Sequence, residues 1–333
     1  MQHPGRDLIL STKPFAKEVR WKSWYYTITT ILLLIAIFLG THYMPTFIGK
    51  LACSIAAGFV MMRGFVIYHD HQHHSILYKS FIADAIFTVY GLFMLSPTSI
   101  WKRSHDYHHN HNSKLFSASI GSYPILTVEK YMNASDNERK TYLASRHPLS
   151  ILFGYFTMFI KGMCIDSFMS NNRKHWDSLL ALILHAAASI FMIVHFGFIA
   201  YMLTICIPFF VSLMIGAYLF YAQHNFSGVQ FTEKEDWNYA GAALHSSSYL
   251  KMNRLMQWLS ANIGFHHVHH LNSRIPFYRL PEAMEKVEAL HNPTITTFKF
   301  SDIRLCLSLK VWDPSQNRML TMKEVNEIMN KRS

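Results

Sequence analysis

The sequence predicts an all-α integral membrane protein, with four membrane-spanning helices in two hairpins and a helical cap on one side. Three observations carry that reading. Only 15% of the 333 residues are charged and half are hydrophobic, whereas a soluble domain carries about a quarter charged residues. Four apolar runs each approach the ~20 residues that a helix needs to cross a hydrocarbon core. The basic residues behind the net charge of +11 flank these runs rather than forming a stripe interleaved with exposed aromatics, which argues against nucleic acid as a partner.

The first run is about 25–46, "YYTITTILLLIAIFLGTHYMPT", and the second about 50–68. The third, "SLLALILHAAASIFMIVHFG", covers about 178–197, and the fourth, "IAYMLTICIPFFVSLMIGAYLFY", about 199–221. The short links "FIGK" and "FI" make each pair a hairpin. Lys13, Lys17, Arg20 and Lys22 precede the first run; Lys102, Arg103, Arg139, Lys140, Arg173 and Lys174 lie between the hairpins; Lys251, Arg254, Arg274 and Arg279 follow the fourth. The positive-inside rule then places the amino end, the central loop and the carboxyl region in the cytoplasm. The cap falls mainly in 69–177 and 222–333, within a single domain over 1–333. Two shorter apolar stretches, 81–95 with Asp84 and 150–160, are read as lying in the interface or dipping in and returning.

In the carboxyl region, "LPEAMEKVEAL" (280–290) reads as an amphipathic helix with Pro281 near its start, and "DPSQNRMLTMKEVNEIMNK" as a turn and a terminal helix. Cys53, Cys164, Cys206 and Cys306 form no CxxC pair and read as small core residues.

Histidine carries the chemical signal. "HDHQHH" (69–74), "HDYHHNH" (105–111) and "HHVHH" (266–270) hold twelve of the 21 histidines. His69 and His73 are four apart; His105, His108 and His109 stand at i, i+3 and i+4, and His266, His269 and His270 repeat that spacing. On a helix such residues share one face, and neutral imidazole is a good ligand for iron, copper or zinc. All three clusters fall on the cytoplasmic side, and they meet only if 81–95 does not cross the membrane. His224, just past the fourth run, reaches the same side. One shared face per cluster gives His69, His73, His105, His108, His109, His224, His266, His269 and His270. Nine imidazoles exceed one ion and suit two, with positions left open.

His71, His111 and His267 fall off the shared faces; His267 is expected beside the ligands rather than among them. Asp70 and Asp106 each follow the first histidine of a cluster and are candidates to accept a ring N–H from a ligand. His185 and His195 lie within the third run, where polar residues are functional candidates. Glu235, Asp236 and Trp237 precede the third cluster and are candidates for a donor face or lipid entry. "HPG" at 3–5 is read as chance.

"HDHQH", "HDYHH" and "HHVHH", in this order and at these positions, resemble the three histidine boxes of the membrane fatty acid desaturases. "WKRSHDYHHNHNSK" is similar to their second-box region. "NIGFHHVHHLNSRIPFYRLPEA" is similar to the third-box region of bacterial acyl-lipid desaturases of the omega-6 or delta-12 type. The resemblance covers about 25–290, and His224 matches the extra histidine after the family's last span. One departure is His74, where relatives commonly have glycine. The resemblance implies a di-iron centre, dioxygen as co-substrate, a fatty acyl lipid substrate, and a separate electron donor such as a ferredoxin-like protein. It also implies a bacterial inner membrane location with the site facing the cytoplasm. A hydroxylase or ketolase of the same superfamily would share the metal chemistry. A metal transporter would tend to place ligands near mid-bilayer.

Overall fold

The computed structural model describes residues 4–115, 123–233 and 237–332. Among these, four helices are long and apolar enough to cross a membrane: α1 (Arg20–Tyr43), α2 (Phe47–Gln72), α5 (Trp176–Phe196) and α6 (Phe198–Ala222). The expected runs overlap them, with ends shifted by up to five residues. The Thr46 hydroxyl caps α2 by accepting from the Gly49 N–H at 3.1 Å. Gly197, in the left-handed region at φ 87°, separates α5 from α6. The start of α6 is wound in wider π-type turns over Met202–Cys206.

α2 is the central post. Every residue from Val60 to His73 is buried, while much of α1 and α5 presents apolar side chains outward, among them Leu32, Ile35, Ile183, Ile190 and Val194. Arg63, inside α2, donates through Nε to Thr30 Oγ1 at 3.1 Å and lies 4.2 Å from the centre of the Trp258 ring. Gly58 lets α2 approach α6: a Cβ there would stand 2.7 Å from Val211 Cβ and 2.8 Å from the Pro208 carbonyl.

The stretch 81–95 forms α3 (Phe81–Phe93), bent by 91° into α4 (Thr98–His111). Thirteen residues reach only about 20 Å, short of a crossing. α3 folds back along α2, with Asp84 against His71 and the Tyr90 hydroxyl donating to the Met61 carbonyl at 2.7 Å. α4 then returns beside α2, with Trp101 against Phe65 and His105 against His69. This dip and return brings the second histidine cluster to the first. Asp177, on α5, caps α4 by accepting from the Ser99 N–H at 3.1 Å. The 150–160 stretch is helical, with π-type winding over Tyr155–Asp166.

The all-α expectation needs correction in the carboxyl region. α7 (Arg254–Leu259), α8 (His266–Leu271) and α9 (Leu280–Lys286) are short, and "LPEAMEKVEAL" breaks at extended Val287. Two small sheets are present. β1 (Tyr249–Lys251) pairs in parallel with β2 (Ile295–Thr297). After α10 (Phe300–Ser308), β3 (Leu309–Asp313) pairs antiparallel with β4 (Arg318–Thr321). The expected turn after Asp313 is therefore a hairpin turn, followed by α11 (Met322–Arg332). Val311, Leu320 and Val325 pack with Val128, Tyr131 and Tyr142 in a satellite core. Cys164 and Cys306 are buried, and all four cysteines are free.

Candidate metal centre

The ends of α2 and α4, the turn after α6 and the whole of α8 meet at one place. The nine histidines expected from helical spacing sort into two groups: His69, His73, His105, His109 and His269 in one, and His108, His224, His266 and His270 in the other. Within each group the available ring nitrogens lie within 4.8 Å of one another. Each HxxHH cluster divides between the groups, in opposite senses. α4 sends its i, i+4 pair to the first group and His108 to the second; α8 sends its i, i+4 pair to the second and His269 to the first. His109 and His270 stack at 4.2 Å, so the two groups share a wall.

The spacing suits coordination. In the second group the Nε2 atoms close a ring: His108 to His224 3.0 Å, His224 to His266 2.9 Å, His266 to His270 3.1 Å and His270 to His108 3.2 Å. Ligand atoms at right angles around an ion with bonds of about 2.1 Å stand about 3.0 Å apart. In the first group His105 Nε2 lies 2.8 Å from His69 Nε2 and 3.1 Å from His109 Nε2, which lies 3.0 Å from His269 Nε2. The His224 Nδ1–H donates to the Ser246 carbonyl at 2.9 Å. Its bare Nε2 therefore faces the neighbouring rings, an arrangement of converging lone pairs that a cation relieves. Among the described residues neither group includes a carboxylate.

Burial, reinforced by neighbouring imidazoles, holds His105, His108, His109, His266, His269 and His270 well below the ordinary histidine range. Burial pushes His224 down to about 4. These rings are neutral near pH 7, the form that binds a metal.

The surrounding residues differ from expectation in part. Asp70 lies 3.2 Å from His69 Nδ1, and its other oxygen accepts from the Phe277 N–H at 2.6 Å. Asp106 is corrected: its carboxylate pairs with Lys102 at 3.0 Å on the exposed side of α4. His267, expected off the shared face, stands outside both groups, with Nε2 3.4 Å from the Leu290 carbonyl. His71 bonds Asp84 at 3.0 Å, and His111 stacks on Tyr107. His74 is also outside the groups, with its ring on Tyr78. His185 meets the Tyr155 hydroxyl, and His195 lies against Phe191. Trp237 donates to the Asn112 carbonyl at 2.7 Å. Glu235, Asp236 and His3 lie outside the described residues. Trp101, the first residue of the second-box text, stacks on His105 at 4.9 Å; helical spacing assigns no role to it or to Ser246.

A narrow apolar cavity of about 40 Å³ opens onto both groups between α2 and α6. Met62, Phe65 and Val66 line one side, Gly216 and Leu219 the other, and His69, His105 and His266 its polar end.

Residues 45–298 match the fatty acid desaturase family model. The chain belongs to the fatty acid desaturase family. A fatty acid desaturase of Bacillus subtilis (strain 168) is 33% identical, over 82% of this chain and 77% of its own length. An sn-1 oleoyl-lipid 12-desaturase of Synechocystis sp. is 24% identical, over 82% of this chain and 78% of its own. A chloroplastic omega-6 fatty acid desaturase of Spinacia oleracea is 24% identical, over 67% and 50%. As a fatty acid desaturase the chain is an oxidoreductase that desaturates fatty acyl chains, and the family places its four long apolar helices in a membrane.

Proposed function

We propose that this desaturase introduces a cis double bond into an acyl chain carried on a membrane lipid, with dioxygen as oxidant, at a centre of two iron ions. The observation that carries the reading is the sorting of nine imidazoles, eight of them buried and His224 half-buried, into groups of five and four beside one apolar cavity. His69, His73, His105, His109 and His269 would hold one ion, and His108, His224, His266 and His270 the other. When bound, the iron pair supplies the oxidising power to take two hydrogen atoms from adjacent, unactivated methylenes. The overall change consumes one dioxygen, two electrons and two protons, and yields the alkene and two waters. A separate donor, ferredoxin-like in the simplest case, supplies the electrons.

The chain's own residues do the rest. Asp70 and the Ser246 carbonyl hold the His69 and His224 rings in place. Met62, Phe65, Val66 and Leu219 keep water out and align methylenes against the imidazole end of the cavity. The pairing of Thr30 with Arg63 and of Gly40 with Cys53 fits an α1–α2 hairpin. With α5–α6 as the second hairpin, the charge pattern favours a cytoplasmic cap on a bacterial inner membrane, all in one domain. The omega-6 or delta-12 position rests on the third-box text and on relatives at 24% identity.

The test is gas chromatography–mass spectrometry of total fatty acids from a bacterial host expressing the protein, beside His269→Ala. A new unsaturated acid missing from the control is expected, and its double bond locates the position. A hydroxy or keto acid instead would move the assignment to oxygen insertion. Purified protein that binds no iron would sink the di-iron centre.

A further inference from the structure

The turn that carries His224 is held from the far end of the chain. Asn225 is 3% exposed and uses its whole amide. Its Nδ2 donates to the Cys306 carbonyl at 2.8 Å and the Leu309 carbonyl at 3.2 Å, and its Oδ1 accepts from Arg146 Nη2 at 2.7 Å. Arg146 is fully buried. Its Nη1 donates to the Pro124 carbonyl at 3.1 Å, and its guanidinium lies 5.0 Å from the Tyr221 ring and 5.6 Å from the Tyr142 ring. Among the described residues no carboxylate pairs with it. Lys310 Nζ bonds the Arg146 carbonyl, and the Tyr221 hydroxyl donates to the Leu309 carbonyl at 3.2 Å. Cys306, Leu309 and Lys310 all lie past residue 298, where the family match ends.

We propose that Asn225, clamped between Arg146 and the backbone of 306–309, is a positioning residue that fixes His224 in the four-histidine group. The chemistry demands an amide. Only a side chain that donates twice and accepts once satisfies two carbonyls and a guanidinium together. A carboxylate would keep the arginine but face two carbonyls without a proton. An alanine would strip the Nη2 bond from a buried guanidinium and the 2.8 Å bond from the Cys306 carbonyl, and leave the Leu309 carbonyl to the Tyr221 hydroxyl alone. His224 is the one member of its group that lies outside the histidine boxes. Its ring is aimed by the Ser246 carbonyl, and its backbone by the flanking side chains: Gln223 Nε2 donates to the Ile263 carbonyl at 2.8 Å, and Asn225 makes the bonds above.

This inference rests on the metal reading, and iron counting separates the two. Full-length protein in detergent is loaded with ferrous iron without oxygen, then measured for iron per chain and by Mössbauer spectroscopy. Wild type is expected to hold two ions. Asn225→Ala is expected to keep the five-histidine ion and lose about 10–100-fold in affinity for the other, with one iron signal fading. In a His224→Ala background the same change should cost nothing further, because its route is already cut. Arg146→Lys, which keeps the charge but withdraws the Nη2 bond, carries the same expectation should Asn225→Ala not fold. Two ions with an unchanged spectrum in both variants, or a further loss in the His224→Ala background, overturns the inference alone. No iron in wild type removes the metal reading and this inference with it.

Discussion

His74 sits in the left-handed region at φ 57°, just past the end of α2, a conformation that favours glycine at helix ends. The backbone there turns the chain away, so His73 faces the first group and His74 leaves it. His74→Gly is expected to stabilise the protein by about 0.5–1 kcal/mol, the left-handed penalty less the entropy that glycine restores to the unfolded chain. Thermal melts check this, and iron content should not change. Asp70 and Asp106 offer a sharper contrast, since each follows the first histidine of its box. Asp70→Ala should weaken iron binding about 10–100-fold, because it frees His69 Nδ1 and strands the Phe277 N–H. Asp106→Ala removes an exposed ion pair and should change stability by less than about 1 kcal/mol, with no effect on iron. Equal effects from the two variants would contradict these geometries.

Helix packing sets how far apart the boxes stand. α2 and α6 wall the apolar cavity, and Gly58 lets them close to backbone contact. Gly58→Ala should push them apart and cost about 1–3 kcal/mol through overpacking, read as a lower melting temperature. Iron binding should suffer less, because His69 and His224 lie several turns or more away along their helices. α3 and α4 do a different job. Hydropathy marked 81–95 as too short to cross, but only the 91° bend and the contacts of α3 and α4 with α2 show how the second box comes back to the first.

For the molecule as a whole, the consequence of gathering so many neutral imidazoles is a dependence on pH and metal. His224 and His267 are pushed by burial from 6.5 to about 4. Between these values the unfolded chain takes up protons that the folded chain refuses. Stability should therefore be flat above pH ~6.5 and fall as pH drops toward 4. Melting of the iron-free protein between pH 7.5 and 4.5 checks the sign; a rise on acidification would overturn it. At pH 7.5 removal of iron by a chelator should lower the melting temperature, since ligand at a thousand times its dissociation constant adds about 4 kcal/mol.

The apolar runs, the dip at 81–95 and the nine clustered histidines are legible in the sequence because each depends on local periodicity. A run's length sets whether it can cross, and i, i+3, i+4 spacing sets which rings share a helix face. Those signals cannot say which turn of one helix meets which segment of another. The division into five and four and the inward Asp70 against the outward Asp106 follow from how α2, α4 and α8 are placed against one another. The clamp on Asn225 joins it to Cys306 and Leu309, more than 80 positions away, through bonds to backbone carbonyls. A carbonyl is the same in every residue, so such partners leave no mark in the sequence and are settled only by packing.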